Sequence, residues 1–151
     1  MELSRPAADV RRAPTGRFRL WVRRNGVLVG LMDETNLIVD LSQGIHAQLL
    51  GGDVANQSVT KIGFGSGLNA AAAGNTGLTA PYVKALDGHS YPQANQVQFA
   101  YSLGPAEANG SNIGEFGLLT GGDTLYARKV RSSLLAKDDT VSFTGTWTIQ
   151  F

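Results

Sequence analysis

The chain has 151 residues, 42% of them hydrophobic and 17% charged, with a formal net charge of +1 and no cysteine. That length fits one domain with a real core, with or without an extended arm. The lack of cysteine excludes a disulfide framework, a thiol nucleophile and a Cys-based zinc centre, and no apolar run approaches the ~18 residues of a membrane-spanning helix.

Charge is unevenly spread. Residues 1–24 carry seven arginines against Glu2 and Asp9, a surplus of +5, while the rest of the chain carries six basic and ten acidic residues, a balance of −4. A cationic end on a mildly acidic body points to contact between neighbouring copies or with an anionic partner. Residues 1–16 hold Pro6, Pro14 and Gly16 and show no apolar period, so they are expected to form an extended, basic N-terminal arm that orders on a partner. Residues 17–151 are expected to form the single folded domain. The first residues lack the apolar stretch of a secretory signal, which with the missing cysteine suits a protein made in a reducing cytoplasm.

Phe18, Leu20 and Val22 alternate with Arg17, Arg19, Trp21 and Arg23, the period of a strand with one apolar face. Asn25-Gly26 follows, and both residues tolerate positive φ, so Arg17–Met32 reads as a hairpin whose return strand carries Val27, Val29 and Leu31. Ser42 to Leu50 reads as a helix, with Ile45, Leu49 and Leu50 on one side, Asp40 or Ser42 as its cap and Gly51-Gly52 as its stop. Val59 to Gly65 is a short strand. Residues 65–80 read as a long ordered loop, because the Ala70–Ala73 run is too short to hold a helix by itself.

A strand is predicted over Pro81 to Ala85, and another over Gln96 to Leu103, with Val97, Phe99, Tyr101 and Leu103 on one face. Glu107 to Ser111 is a polar turn. Ile113–Leu119 and Thr124–Val130 flank Thr120-Gly-Gly-Asp123, a loop of hairpin length. Leu134 is read as the approach to the last strand. That strand alternates without error: Val141, Phe143, Trp147, Ile149 and Phe151 are apolar, Gly145 is small, and polar residues lie between them. Phe151 is thereby assigned to the core face. Seven or more short strands with one helix predict a mainly β fold. The expected form is an antiparallel β-sandwich, Greek-key or jelly-roll-like, with one short helix and the extended N-terminal arm.

No motif carries a reaction. Gly63-Phe-Gly65-Ser-Gly67 has the wrong spacing for a dinucleotide loop and lacks the acidic partner that the ribose needs; glycines that permit close packing explain it. His46 and His89 lie far apart in sequence with no ligand spacing around them. Asp138-Asp139 and Gly122-Asp123 fit turn chemistry, and Glu107 and Glu115 define no cleft. Asn109-Gly-Ser matches a glycosylation acceptor, which carries no weight without a secretory signal. The expectation is a protein that is not an enzyme and uses no metal or cofactor. The residues expected to make partner contacts are Arg11, Arg12, Arg17, Arg19, Trp21, Arg23 and Arg24. Contact with protein ranks ahead of nucleic acid, whose usual pairing of a cationic track with stacking aromatics is approached only by Trp21 beside Arg19, Arg23 and Arg24.

The order of motifs over residues 36–151 resembles that of small virion structural proteins of tailed bacteriophages. The pieces are Asn36-Leu-Ile-Val39 before a helix, Ile62-Gly-Phe-Gly-Ser-Gly67, Gly74-Asn-Thr-Gly-Leu-Thr79, Ala106-Glu-Ala-Asn-Gly110, Ile113-Gly-Glu-Phe-Gly-Leu118, Gly122-Asp-Thr-Leu-Tyr-Ala-Arg128 and Thr144-Gly-Thr-Trp-Thr-Ile149. Their order spans about three quarters of the chain. The resemblance implies a tail, baseplate or fibre-associated component, made in the host bacterial cytoplasm and located in the virion. Its partners would be copies of itself and other virion proteins, with no membrane involved. Two alternatives stand beside it. One is a capsid decoration (cement) protein of the phage head. The other is a carbohydrate-binding β-domain for a host-surface glycan, with Tyr82, Tyr91 and Tyr126 as stacking residues.

Overall fold

The structure, a computed structural model, describes residues 12–151. It is built on nine strands and one short helix: β1 (Thr15–Arg24), β2 (Val27–Ile38), α1 (Leu41–Gly51), β3 (Val59–Gly65), β4 (Tyr82–Ala85), β5 (Gly88–Ser90), β6 (Gln96–Leu103), β7 (Asn112–Thr120), β8 (Leu125–Ala136) and β9 (Val141–Gln150). Every pairing is antiparallel, and the strands follow one another in the order β4-β3-β7-β8-β2-β1-β9-β6-β5.

The mainly β, antiparallel fold with one short helix is the one predicted. Its strands form a single continuous sheet curled into a half-barrel. Two stretches of chain carry the curl. β2 pairs with β1 from Val27 to Asn36 and then touches β8 at Leu37↔Arg128 and Ile38↔Ala127. The segment from β4 to β5 leaves β3 and joins β6, with Leu86 N–H donating to Thr60 O (2.9 Å) and Asp87 N–H to Ala100 O (2.8 Å).

The inner faces of the curled sheet share one core. Phe18 on β1 lies at its centre, its ring 4.8 Å from Phe116 of β7, 4.9 Å from Trp147 of β9 and 5.7 Å from Tyr101 of β6. The alternation read from the sequence is the cause: Phe18, Leu20 and Val22, then Phe99, Tyr101 and Leu103, then Val141, Phe143, Trp147 and Ile149 are all buried. Asn25 (φ 50°) and Gly26 (φ 78°) make the predicted two-residue turn. The last strand is not an edge. β9 runs between β1 and β6, paired along its length with both.

Several expectations are corrected. Phe151 lies beyond β9 and is 53% exposed, because the alternation loses its core partner after Ile149. On α1 only Ser42 and Ile45 are buried; Leu49, a turn beyond Ile45, is half exposed at a cleft beside the sheet, and Leu50 faces solvent. Asp40 holds the N-cap position without a side-chain bond, and Gly52 (φ 76°) ends the helix with its N–H on Gln48 O. Leu134 belongs to β8, which runs on to Ala136 past two register shifts against β7. Gly16, assigned to the arm, is buried inside β1.

Two sites of buried charge hold the loops. Lys137 donates from Nζ to Asn109 Oδ1 (2.8 Å), Asp138 O (2.8 Å) and Pro105 O (3.3 Å), tying the turn before β7 to the turn before β9. Burial lowers the ammonium's pKa, opposed by the nearby Asp138, Glu107 and Asp139. Glu115 and Arg128 form the second buried site.

Candidate functional site

Four of the predicted contact residues, Arg17, Arg19, Trp21 and Arg23, fall on the outward face of β1, and Arg24 ends the strand. Arg11 lies outside the described residues, and Arg12 is exposed just before the strand. Arg17, Arg19, Trp21 and Arg23 alternate outward, and across the register with β9 they stand opposite Thr148, Thr146, Thr144 and Ser142. Gln96 and Gln98 of β6 extend this surface, donating to Gln150 Oε1 (3.1 Å) and Thr148 Oγ1 (3.0 Å). A shallow polar depression of about 540 Å³ runs over it.

The arginines are largely tied down within the protein. Arg17 grips Asp33 of β2 with two bonds of 2.7 and 2.9 Å, which raises the guanidinium's pKa and lowers that of the carboxyl. Arg19 Nε lies 3.4 Å from Asp33 Oδ2. Arg23 donates to Thr144 Oγ1 (2.9 Å), and Arg24 to Thr140 Oγ1 (2.9 Å) beside Asp138 (3.6 Å). Asp33 and Asp138 thus set negative charge among the arginines, and the surface is one of mixed charge.

Beside this surface lies a feature the sequence reading missed. Val27, Leu28, Val29 and Leu31 of β2 are exposed at 66%, 52%, 58% and 63%. β2 gives one edge to β1, and from Val27 to Asn36 its other edge has no strand partner among the described residues. A cleft of about 350 Å³ opens there, lined by Leu20, Val22, Met32 and Leu135, with Arg131 of β8 on its far side. Glu34, also on its lining, pairs with Lys129, whose Nζ donates to Thr35 O (3.0 Å). An open strand edge with apolar side chains is a template for another chain. The signal was present in the sequence: the unbroken run Val27-Leu28-Val29 has no polar alternate, as a half-buried strand would require.

A third surface unites residues that the sequence separates. His46 of α1 and His89 of β5 line the same cleft of about 290 Å³, with Tyr91, Phe99, Tyr126 and Phe151. His46 Nε2 and the Tyr126 hydroxyl are hydrogen-bonded at 2.7 Å. Of the three candidate stacking tyrosines, Tyr91 and Tyr126 lie in this cleft, while Tyr82 is elsewhere, its hydroxyl 3.3 Å from Glu107 Oε2. Burial pushes the Tyr126 pKa up to about 12 and lowers that of His46. The folded protein therefore binds a proton on His46 less readily than the unfolded chain does. Stability tied to this group is complete above the ordinary histidine pKa and is lost as pH falls below it. The melting temperature is expected to drop between about pH 7 and about pH 5, and His46→Gln should flatten that slope; an unchanged slope in the variant would contradict it.

Two further acids have structural partners: Asp123 pairs with Lys61 at 2.8 Å, and Glu107 with Lys84 at 2.8 Å. Among the described residues, no three His, Asp or Glu side chains converge as a metal site would need. No protein-family model matches the chain, and neither curated proteins nor solved structures give a match.

Proposed function

We propose that this protein is a non-enzymatic structural component of a tailed-bacteriophage virion, associated with the tail, baseplate or fibre. It assembles with copies of itself and other virion proteins through its N-terminal arm and the surfaces of its sheet. The observation that carries this reading is the open, apolar edge of β2 beside the Arg17–Arg24 face. A protein that functions alone gains nothing from four large apolar side chains on a strand with one open edge, whereas a subunit covers them with its neighbour. The order of motifs over residues 36–151 supports the same reading. So does a rigid sheet without disulfides, which folds in the host cytoplasm. The sandwich description, Greek-key or jelly-roll-like, belongs to this proposal, because the inner faces of the curled sheet pack on one core as two layers do.

The test separates edge from arm. Val29→Lys with Leu31→Arg should leave stability within about 0.5 kcal/mol of the parent, as exposed substitutions do. The same pair should abolish self-association in sedimentation and incorporation into particles. Deleting residues 1–12, which stops short of β1 at Thr15, should leave a folded body that no longer incorporates. Normal incorporation of both variants would overturn the assembly reading.

A further inference from the structure

We propose that the aromatic cleft between α1, β5 and β6 is a binding site for the ring of a neutral pyranose, independent of the assembly surfaces. The cleft holds about 290 Å³, at the small end of ligand sites, so it suits one ring and not a long chain. Its floor is Ile45, Val59, Val97 and Ile149. Its mouth is flanked by Tyr91, 71% exposed, and Phe151.

Three properties select the ligand. No Asp, Glu, Lys or Arg lines the cleft, so a charged guest would lose water without gaining a counter-ion. The aromatic rings meet edge-on: His46 with Phe151 at 5.6 Å and 64°, His46 with Tyr126 at 5.4 Å and 60°, and His89 with Tyr91 at 5.5 Å and 80°. This arrangement leaves a ring-lined wall that suits the C–H face of a sugar. Polar groups are interspersed in that wall: the Ser58 and Tyr91 hydroxyls, the His89 imidazole, and the hydrogen-bonded His46–Tyr126 pair. Ser58, His89 and Tyr91 are exposed, so a ring with a rim of hydroxyls could exchange their water for direct hydrogen bonds, which a purely hydrocarbon guest could not. A neutral pyranose has both the apolar faces and the hydroxyl rim.

The test uses the full-length protein and methyl glycosides of glucose, galactose, mannose and N-acetylglucosamine, followed by amide chemical-shift changes. At least one should bind at millimolar strength, with shifts confined to residues around His46, His89, Tyr126 and Phe151. Tyr91→Ala and Phe151→Ala truncate exposed side chains and should each weaken that binding by about tenfold. Tyr82→Ala, outside the cleft, should leave it unchanged. Galacturonic acid and glucosamine, the charged counterparts, should bind more weakly than their neutral analogues. The proposal fails if no glycoside gives cleft-confined shifts at millimolar concentration. It also fails if p-cresol binds there and no sugar does, or if the Tyr91 and Phe151 variants bind as well as the parent.

Discussion

Arg128→Ala is expected to cost about 3–5 kcal/mol of stability, the loss seen when one partner of a buried ion pair is removed. Arg128 of β8 and Glu115 of β7 are both fully buried, with Nε 2.7 Å from Oε2. The other guanidinium donors hold the long loop between β3 and β4: Nη1 reaches Asn75 Oδ1 (2.9 Å) and Ala70 O (3.4 Å), and Nη2 reaches Asn69 O (3.1 Å) and Asn69 Oδ1 (3.0 Å). Glu115 Oε1 accepts the N–H groups of Gly67 (3.1 Å) and Thr79 (2.5 Å) at the two ends of that loop. Gly65 and Gly67 admit the carboxylate, since a Cβ on either would fall 2.5 or 2.8 Å from it. Loops of more than about 12–15 residues without secondary structure are uncommon in compact domains, and this one is ordered by two side chains.

Truncating Arg128 leaves the carboxylate buried without its counter-charge and releases the loop. Melting should therefore fall by on the order of 10 °C, and hydrogen exchange should quicken at residues 66–79 before the rest of the sheet. A double change, Glu115→Leu with Arg128→Met, removes both charges and should recover much of the stability, yet leave the loop unprotected. A loss below about 1 kcal/mol in the single variant would mean the pair contributes no more than a surface salt bridge.

The contrast between this pair and β9 shows how far the sequence could be read. β9, β6 and the β1–β2 hairpin are legible because each is set by local information: a period of two, or Asn25-Gly26 at a turn. Glu115 and Arg128 each look like ordinary surface charges. Only the β7–β8 pairing, which sets Glu115 across from Val130 and Gly117 across from Arg128, encloses them. The register shifts in that pairing also hide the length of β8, because each shift breaks the alternation that would announce it. His46 and His89 converge for the same reason: the β4–β5 crossing and the seat of α1 are long-range facts with no local signature. The outward face of β1 was legible residue by residue, but its charge balance was not, since Asp33 reaches Arg17 only through the hairpin register. Exposure of the β2 edge is half legible: the unbroken Val27-Leu28-Val29 run marks an apolar stretch, but which edge stays open follows from the long-range pairing.

Gly145→Ala is expected to be the second most damaging single change, at about 3 kcal/mol, through overpacking and a disturbed buried hydrogen bond. Gly145 is the small residue in the otherwise bulky inward series of β9, and it stands in register with Leu20 of β1 and Tyr101 of β6. A Cβ there would lie 2.3 Å from the Tyr101 ring and 2.3 Å from the Arg19 carbonyl oxygen. Neither neighbour is free to move. The Tyr101 hydroxyl donates to that same carbonyl at 2.7 Å, burial raises its pKa well above the ordinary value so that it stays protonated, and its ring packs against Phe18 and Phe64. The missing side chain is thus the space in which Tyr101 reaches across the central strand to lock β6 to β1. Tyr101→Val alone should also destabilise, by opening a cavity and removing the hydroxyl's bond to the Arg19 carbonyl. Combined with Gly145→Ala it should cost less than the sum of the two, with a coupling of about 1–2 kcal/mol, since the new methyl then fills part of the space the ring vacates. Urea denaturation of the four proteins measures this directly. Strict additivity would mean that the glycine and the tyrosine do not share that space.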